Sequence, residues 1–310
     1  MTGELTASAN CALAVDLGGT KVETAVVSPD GEVVSGTRTR RSTGSAASRG
    51  GLIAAIADAV GESTRAIHGE LLGVGIGAAG PVDTTSGTTS PLNLPAGAAL
   101  DVVKIVRGIV PEGPIRLALD GACLVMAEHW LGAARGVRNA LAIVVSTGVG
   151  GGLLLDGRVI TGSSGNAGHI GQIRLREPGG DVLEGTLESI ASGPSAVAWA
   201  RSQGWIGRTG VELGHAYANG DAVARAAVGR SASAVGEAIA STAALLDLDI
   251  AILAGGFINV TDDYVDQVRE SARRHAPLPH ARRVDVVRSP LGDAAPLIGA
   301  ASLIHFPLGA

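Results

Sequence analysis

Two glycine-rich turns carry the residues whose types and spacing can do chemistry. Residues 16–21 read Asp-Leu-Gly-Gly-Thr-Lys. An acid rides the end of an apolar run, and Gly18 and Gly19 let the backbone turn sharply. The exposed N–H groups, the Thr20 hydroxyl and the Lys21 ammonium can then surround a polyphosphate. The hexapeptide alone fits a β-hairpin equally well. Residues 146–152, Ser-Thr-Gly-Val-Gly-Gly-Gly, repeat the plan with Thr147, Gly148 and Gly150, and a pair of such loops favours nucleotide binding. At 253–257, Leu-Ala-Gly-Gly-Phe delivers Gly255 and Gly256 after a buried run, where a flat ring can approach the backbone. By itself that stretch is explained by a tight strand-to-helix turn.

Asp120 closes the apolar run Pro-Ile-Arg-Leu-Ala-Leu. Phosphoryl transfer needs in-line positioning, charge neutralisation and a carboxylate that accepts the hydroxyl proton, and an acid at a strand end suits the last role. The competing reading of Asp120 is a helix N-cap. Only the company of both phosphate turns favours catalysis. Glu128, eight residues on by the numbering, sits mid-helix and reads as structural. No G-x-x-x-x-G-K-[ST] occurs, which excludes a P-loop. Gly75-Ile-Gly77-Ala-Ala-Gly80 satisfies a dinucleotide fingerprint, with Asp101 about 20 residues further on. Pro81 and the Thr/Ser/Gly run at 84–90 deny it the helix that would hold a pyrophosphate, so a Rossmann dehydrogenase is a distant alternative.

The elements that must position these residues follow from periodicity and turn chemistry. Residues 11–39 predict three consecutive strands, with turns at Gly18-Gly19 and Pro29-Asp30-Gly31. A helix is expected at about 46–68, with Leu52, Ile53, Ile56 and Val60 on one face. Residues 71–81 read as a buried strand running into a glycine turn, 114–120 as a strand ending at Asp120, and 121–136 as a helix. The order strand, glycine turn, strand, Asp-Gly hairpin, strand then recurs, with 15–20 matched to 145–150. Such duplication predicts an α/β protein of two similar lobes. Further helices are expected at about 188–203, 220–246 and 261–275, a strand at 249–256, a late strand at 283–289, and a closing helix. The expected division is an N-terminal lobe of 1–120, joined by a C-terminal helix at about 291–310, and a larger lobe of 121–290.

Composition narrows the function classes. The 310 residues carry a formal net charge of −5 and are 46% apolar. That describes a folded protein and argues against a nucleic-acid partner, which needs clustered Lys and Arg. Lys21 and Lys104 are the only lysines among many arginines. Cys11 and Cys123 are the only cysteines and sit in apolar stretches, as small core residues of a reducing compartment do. With no leader pattern and no long apolar run, the expectation is a soluble, cytoplasmic protein without membrane association.

Together these motifs resemble the ROK family of bacterial sugar kinases and related repressors. The order is DxGGTK, then GPVD, an Asp at a strand end with a Glu eight residues later, STGVGGG, and LAGG. The likeness runs from about residue 11 to 304. It implies the two-lobed actin-like ATPase, ribonuclease H-like, fold with a central cleft, and ATP-dependent phosphorylation of a hexose or amino sugar there. Asp16, Gly18, Gly19, Thr20 and Lys21 match the first phosphate loop; Thr147, Gly148 and Gly150 match the second; Gly255 and Gly256 match the adenosine motif. Asp120 matches the catalytic aspartate, with Asp16 helping to hold Mg²⁺ through water. Gly80, Asn93, Asp120, His169, Gln172 and Glu188 fall on substrate positions. Leu119 stands where the family has a sugar-binding asparagine.

The stretch Gly-Asn-Ala-Gly-His-Ile-Gly-Gln-Ile at 165–173 departs furthest. Many relatives carry Glu-x-Gly-His where this chain has His169-Ile170-Gly171-Gln172, followed by three zinc-binding cysteines. The matching positions here are Gly179, Asp181 and Thr186, which lack the soft ligands zinc requires, so no zinc is expected. His169 then reads as substrate-facing. Gln172 reads as either a substrate contact or the start of a strand. The expected pocket is less polar than a glucokinase pocket. The resemblance also implies a homodimer. The alternative function is a non-catalytic sugar sensor. A DNA-binding ROK repressor is disfavoured, because Asp16 lies near the start of the sequence.

Overall fold

The computed structural model describes residues 10–44, 48–66, 70–92, 94–176 and 183–306. They divide into two compact units. The first is Met1–Leu131, Val159–Ala167 and Asp293–Ala310; the second is Gly132–Arg158 and Gly168–Gly292. The first thus includes residues 121–131 and 159–167, which the sequence reading placed in the second lobe.

The sheet of the first unit runs β3 (Thr39–Ser42), β2 (Lys21–Val27), β1 (Ala12–Leu17), β4 (Gly73–Ala78), β5 (Ile115–Leu119). β1 pairs antiparallel with β2 and parallel with β4, which pairs parallel with β5. Both faces of β1 and β4 are covered, so their residues, Asp16 apart, are apolar or small rather than alternating with polar ones. On one face Leu13, Val15, Leu17, Val74 and Ile76 pack against Leu52, Ile56, Ala59 and Val60 of α1 (Arg49–Arg65). Each such side chain contributes roughly 1.5–3 kcal/mol when fully buried.

On the other face, Ala12, Ala14 and Ala25 meet Leu297, Ala300 and Ala301 of α7 (Ala295–His305). The approach is close. A Cβ on Gly75 would lie 1.8 Å from the Ala300 carbonyl oxygen, and one on Gly299 would lie 2.0 Å from that of Cys123. Cys123 belongs to α2 (Asp120–Trp130). Gly75 and Gly77 are therefore packing residues inside β4, and Asp101 N-caps the short helix Val102–Arg107. Both facts remove the basis for a dehydrogenase. Three two-residue strands, Val82–Asp83, Thr88–Thr89 and Leu100–Asp101, make a small separate sheet.

A second five-stranded sheet, built mainly of second-unit strands, repeats the order: β8 (Arg158–Ile160), β7 (Val149–Leu155), β6 (Ala140–Val145), β9 (Ile250–Ala254), β10 (Asp285–Arg288). Its core joins Leu141, Ile143, Val145 and Leu253 to helical residues. Among them are Val228, Val235 and Ile239 of α5 (Ala222–Leu246) and Val268 of α6 (Tyr264–His275). No helix among the described residues is long and apolar enough to cross a membrane.

Several expectations shift. The third N-terminal strand is Thr39–Ser42, while Val33 forms only an isolated bridge to Val27. Helix α1 starts after Ser48, whose hydroxyl accepts the Gly51 N–H, and Ile53 is 37% exposed rather than core. The helix expected at 188–203 is broken into Leu187–Ala191 and α3 (Gly193–Ser202), because Ser192 caps a new start ahead of Pro194. An unforeseen helix, α4 (Gly210–Ala218), begins with a capping box between Thr209 and Glu212. The Thr-x-x-Glu spacing was its sequence signal.

Candidate active site

In the first unit, β1 brings Asp16 to its penultimate position, 9% exposed, and the chain turns through residues 18–21 before Leu17 pairs with Val22. The Gly18 N–H donates to the Lys21 carbonyl at 2.9 Å. Thr43, just past β3, braces the turn: its N–H donates to the Thr20 carbonyl at 3.0 Å and its hydroxyl to the Gly18 carbonyl at 3.1 Å. Thr20 is left exposed at the tip. Lys21 turns back, placing Nζ 2.5 Å from Glu23, which also receives Arg38 at 2.5 Å and Arg40 at 3.1 Å. Burial pushes the Glu23 carboxyl up, but the bonds from Lys21 and Arg38 prevail and hold it below the usual range. Three cations around one carboxylate leave a positive field beside the turn.

Asp120 follows β5 directly and occupies the first turn of α2, where its Oδ1 accepts the Gly121 N–H at 2.7 Å. The cap position belongs to Leu119, which makes no side-chain cap bond and is buried in the core with Ala122. Leu119 is thus a core residue of the first unit. Since β1, β4 and β5 run parallel, their C-terminal ends bring the two acids together. The Asp16 pKa is raised to about 7, first by burial and then by the negative charge of Asp120, with Lys21 opposing. A buried acid whose charge is this poorly compensated suits a hard divalent cation bound through oxygen. Glu128 is wholly buried in α2.

Gly80 follows β4 and joins Pro81 by a cis peptide bond. Asn93 lies outside the described residues. Asn166 has a structural role: it accepts the Val82 N–H and donates to the Val82 carbonyl, both at 2.7 Å.

In the second unit, Val145 pairs with Val149, so the matching turn is residues 146–148. Gly255 adopts φ +100°, and a Cβ there would lie 2.4 Å from the Val145 carbonyl oxygen, so only glycine fits. Ser146, Thr147 and Gly256 line one cavity of about 970 Å³ with Gly193, Arg208, Thr209, Tyr217, Asn259 and Asp263, among other residues. Gly148, Gly150 and Gly255 shape its backbone without lining it. Sequence reasoning missed Arg208, Thr209, Tyr217 and Asn259. They come from separate loops and helices, and no local pattern marks them. The Tyr217 hydroxyl donates to Asp263 at 2.8 Å, and Gln267 donates to Tyr217 at 3.0 Å.

The substrate-loop residues also belong to this unit. Glu188 Oε2 accepts the Val149 N–H at 2.8 Å, and Oε1 accepts the Gln172 amide at 3.4 Å. Among the described residues His169 Nε2 is buried without a hydrogen-bond partner. Burial holds the imidazole below its ordinary pKa, against the pull of Glu188, so the ring is neutral at pH 7. Of the three zinc positions, Gly179 and Asp181 lie outside the described residues, and Thr186 N-caps Leu187–Ala191. The described residues hold no cluster of three or more His, Cys, Asp or Glu arranged for a metal.

The bifunctional enzyme NanE/NanK of Brucella melitensis is 31% identical over 94% of this chain and 53% of its own length, so this chain spans about half of that relative. The N-acetylmannosamine kinase of Yersinia pestis is 31% identical, covering 93% of this chain and 96% of its own. Among solved structures, a ROK family glucokinase from Streptomyces griseus in complex with glucose and AMPPNP superposes with a TM-score of 0.82. It has 27% identity and covers 94% of this chain and 98% of that one. The fold is the α/β actin-like ATPase, ribonuclease H-like, fold, with its sheet duplicated in the two units. The ROK family profile matches residues 12–306, and the chain belongs to that family.

Proposed function

We propose that this chain transfers the terminal phosphoryl group of ATP to a hydroxyl of a hexose or amino sugar. The observation that carries the reading is the coupled pair Asp16 and Asp120 at the strand ends beside the Gly-Gly-Thr turn. Asp120 is the general base that accepts the hydroxyl proton. Mg²⁺, held by Asp16 through water, supplies charge neutralisation for the phosphates. A cation there relieves the repulsion that raises the Asp16 pKa and leaves Asp120 anionic. The turn amides, Thr20 and Thr147 contact phosphates. Lys21 contributes through its field, since its ammonium rests on Glu23. The cavity of about 970 Å³ has room for adenosine against Gly256.

His169, Gln172 and Glu188 are the proposed sugar contacts, with Gly80 and Asn93. The glucokinase and N-acetylmannosamine kinase relatives support a neutral hexose or an N-acetylated hexosamine. Use of ATP fits the cytoplasm, and the family reading carries a homodimer, which sedimentation would test. The deciding assay is ADP release from Mg-ATP against a panel of hexoses, amino sugars and N-acetylated sugars. Turnover with one of them, abolished by Asp120→Asn, is the expected result. Sugar-induced thermal stabilisation with no ADP release from any sugar would replace the kinase by a sensor.

A further inference from the structure

The loop of residues 168–172 and the second phosphate turn are built against each other's backbone. A Cβ on Gly168 would lie 2.3 Å from the Gly151 carbonyl oxygen, and one on Gly171 would lie 1.9 Å from that of Val149. At these two positions loop backbone meets β7 backbone directly, with no side chain between them. One short segment then grips both ends of the turn. The Gly193 N–H donates to the Ser146 carbonyl at 2.9 Å where the turn begins. Glu188 accepts the Val149 N–H at 2.8 Å where it ends. The other oxygen of the same carboxylate accepts the Gln172 amide at 3.4 Å.

We infer that Glu188 is a positioning residue for the second phosphate turn, holding it in register with the 168–172 loop through Gln172. The role rests on the proposed nucleotide site and is separate from any contact Glu188 makes with sugar. The argument is one of donors and acceptors. Val149 is buried, and its N–H loses a full hydrogen bond if left unpaired. Gln172 offers an amide donor on the opposite side. A carboxylate accepts from both at once, whereas a glutamine at 188 accepts from Val149 only by turning its NH₂ toward Gln172, whose amide must then reverse to accept, and both bonds lose their charge assistance. Electrostatics sharpens the point. A negative charge beside a turn that receives phosphates is unfavourable in itself, so its presence there calls for a structural use.

The test is nucleotide affinity in the absence of sugar, measured on the full chain with Mg-AMPPNP. Glu188→Gln is expected to bind about tenfold more weakly, the loss that accompanies one charge-assisted hydrogen bond. Removing a negative charge alone would tighten phosphate binding, so weakening reports lost positioning. Adding Gln172→Glu to that variant restores a carboxylate facing an amide and is expected to recover most of the affinity. Amide hydrogen exchange on the unaltered protein needs no variant and is expected to show Val149 protected. Unchanged or tighter nucleotide binding in Glu188→Gln, with only sugar affinity lost, would overturn the inference. Failure of the double variant to recover, or a rapidly exchanging Val149 amide, would also overturn it. An unaltered chain that binds no nucleotide would instead sink the kinase reading, and this inference with it.

Discussion

The two units share a strand order and a glycine turn after the first strand, yet they differ at one decisive position. Leu17 and Val145 are the last paired residues before their turns. The residue before each is Asp16 in the first unit and Val144 in the second. The acid chemistry therefore sits on one copy of the plan. The other copy carries the large cavity and the neutral polar groups of the substrate loop. The turns differ as well, spanning 18–21 in one case and 146–148 in the other, so the lobes align on their strand ends rather than on the match of 15–20 to 145–150. Duplication supplied two glycine turns at matching strand ends, and on the proposed function divergence of single side chains divides the work between them.

If that division is right, the largest effect comes from the first unit. Asp120→Asn is expected to lower kcat by about 10²–10⁴, the usual contribution of a positioned general base. Nucleotide affinity, for which the proposed function calls on the turns and Asp16 rather than on Asp120, should hold within a few fold. Equal losses in kcat and in nucleotide binding would break the comparison.

The pH dependence of stability tests Asp16 next. Its folded pKa is about 7, above the ordinary aspartate value of about 3.9. The native state therefore binds the proton more tightly than the unfolded chain does. Stability contributed by this group is full below about pH 4 and is lost as pH rises through 7. Asp16→Asn removes the penalty. It is expected to raise Tm relative to the unaltered protein at pH 8, by an amount worth a few kcal/mol, and to change it little at pH 4. A Tm difference independent of pH would show that Asp16 is not the strained acid described. Mg²⁺ with nucleotide should shrink the difference at pH 8.

Packing gives a third, smaller contrast. Gly75→Ala drives a Cβ into the Ala300 carbonyl, within the sheet core of the first unit. Overpacking of this kind costs about 1–3 kcal/mol. Gly171→Ala meets the Val149 carbonyl beside the second phosphate turn instead. Thermal melting should register the first more strongly, and nucleotide affinity the second.

How far these features could be read in advance depended on how local their causes are. The β1 and β6 runs, both glycine turns and the place of Asp120 at a strand end were legible because strand, turn and acid are contiguous in sequence. The duplication was legible for the same reason. The GxGxxG glycines were not, since their reason is α7, more than two hundred positions away in sequence. The break at Ser192 was signalled only by Pro194, against a helical pattern on either side. The cavity wall of Arg208, Thr209, Tyr217 and Asn259 assembles from separate elements, and sequence periodicity carries no information about that. Lys21 illustrates the opposite failure. A lysine on a phosphate turn is an obvious ligand by type, but a buried Glu23 two residues on claims its ammonium.

His169 supplies the smallest and most selective test. Its Nε2 is buried and lacks a protein partner among the described residues, a state that normally costs stability unless a bound group completes the bond. Burial holds the ring neutral, so at pH 7 it can meet a sugar hydroxyl as donor or acceptor but brings no charge. Loss of one neutral hydrogen bond is worth about 0.5–1.5 kcal/mol. His169→Ala should therefore weaken sugar affinity by only a few fold to about tenfold, and leave nucleotide affinity without sugar unchanged. Because the imidazole pKa is depressed, sugar affinity of the unaltered protein should stay flat from pH 8 down to pH 6.5. It should change only on further acidification, and the His169→Ala variant should lose that acidic limb. The contrast with Glu188→Gln is the sharpest available within one unit. Two residues facing the same loop should separate cleanly, one moving sugar binding alone and the other moving the nucleotide.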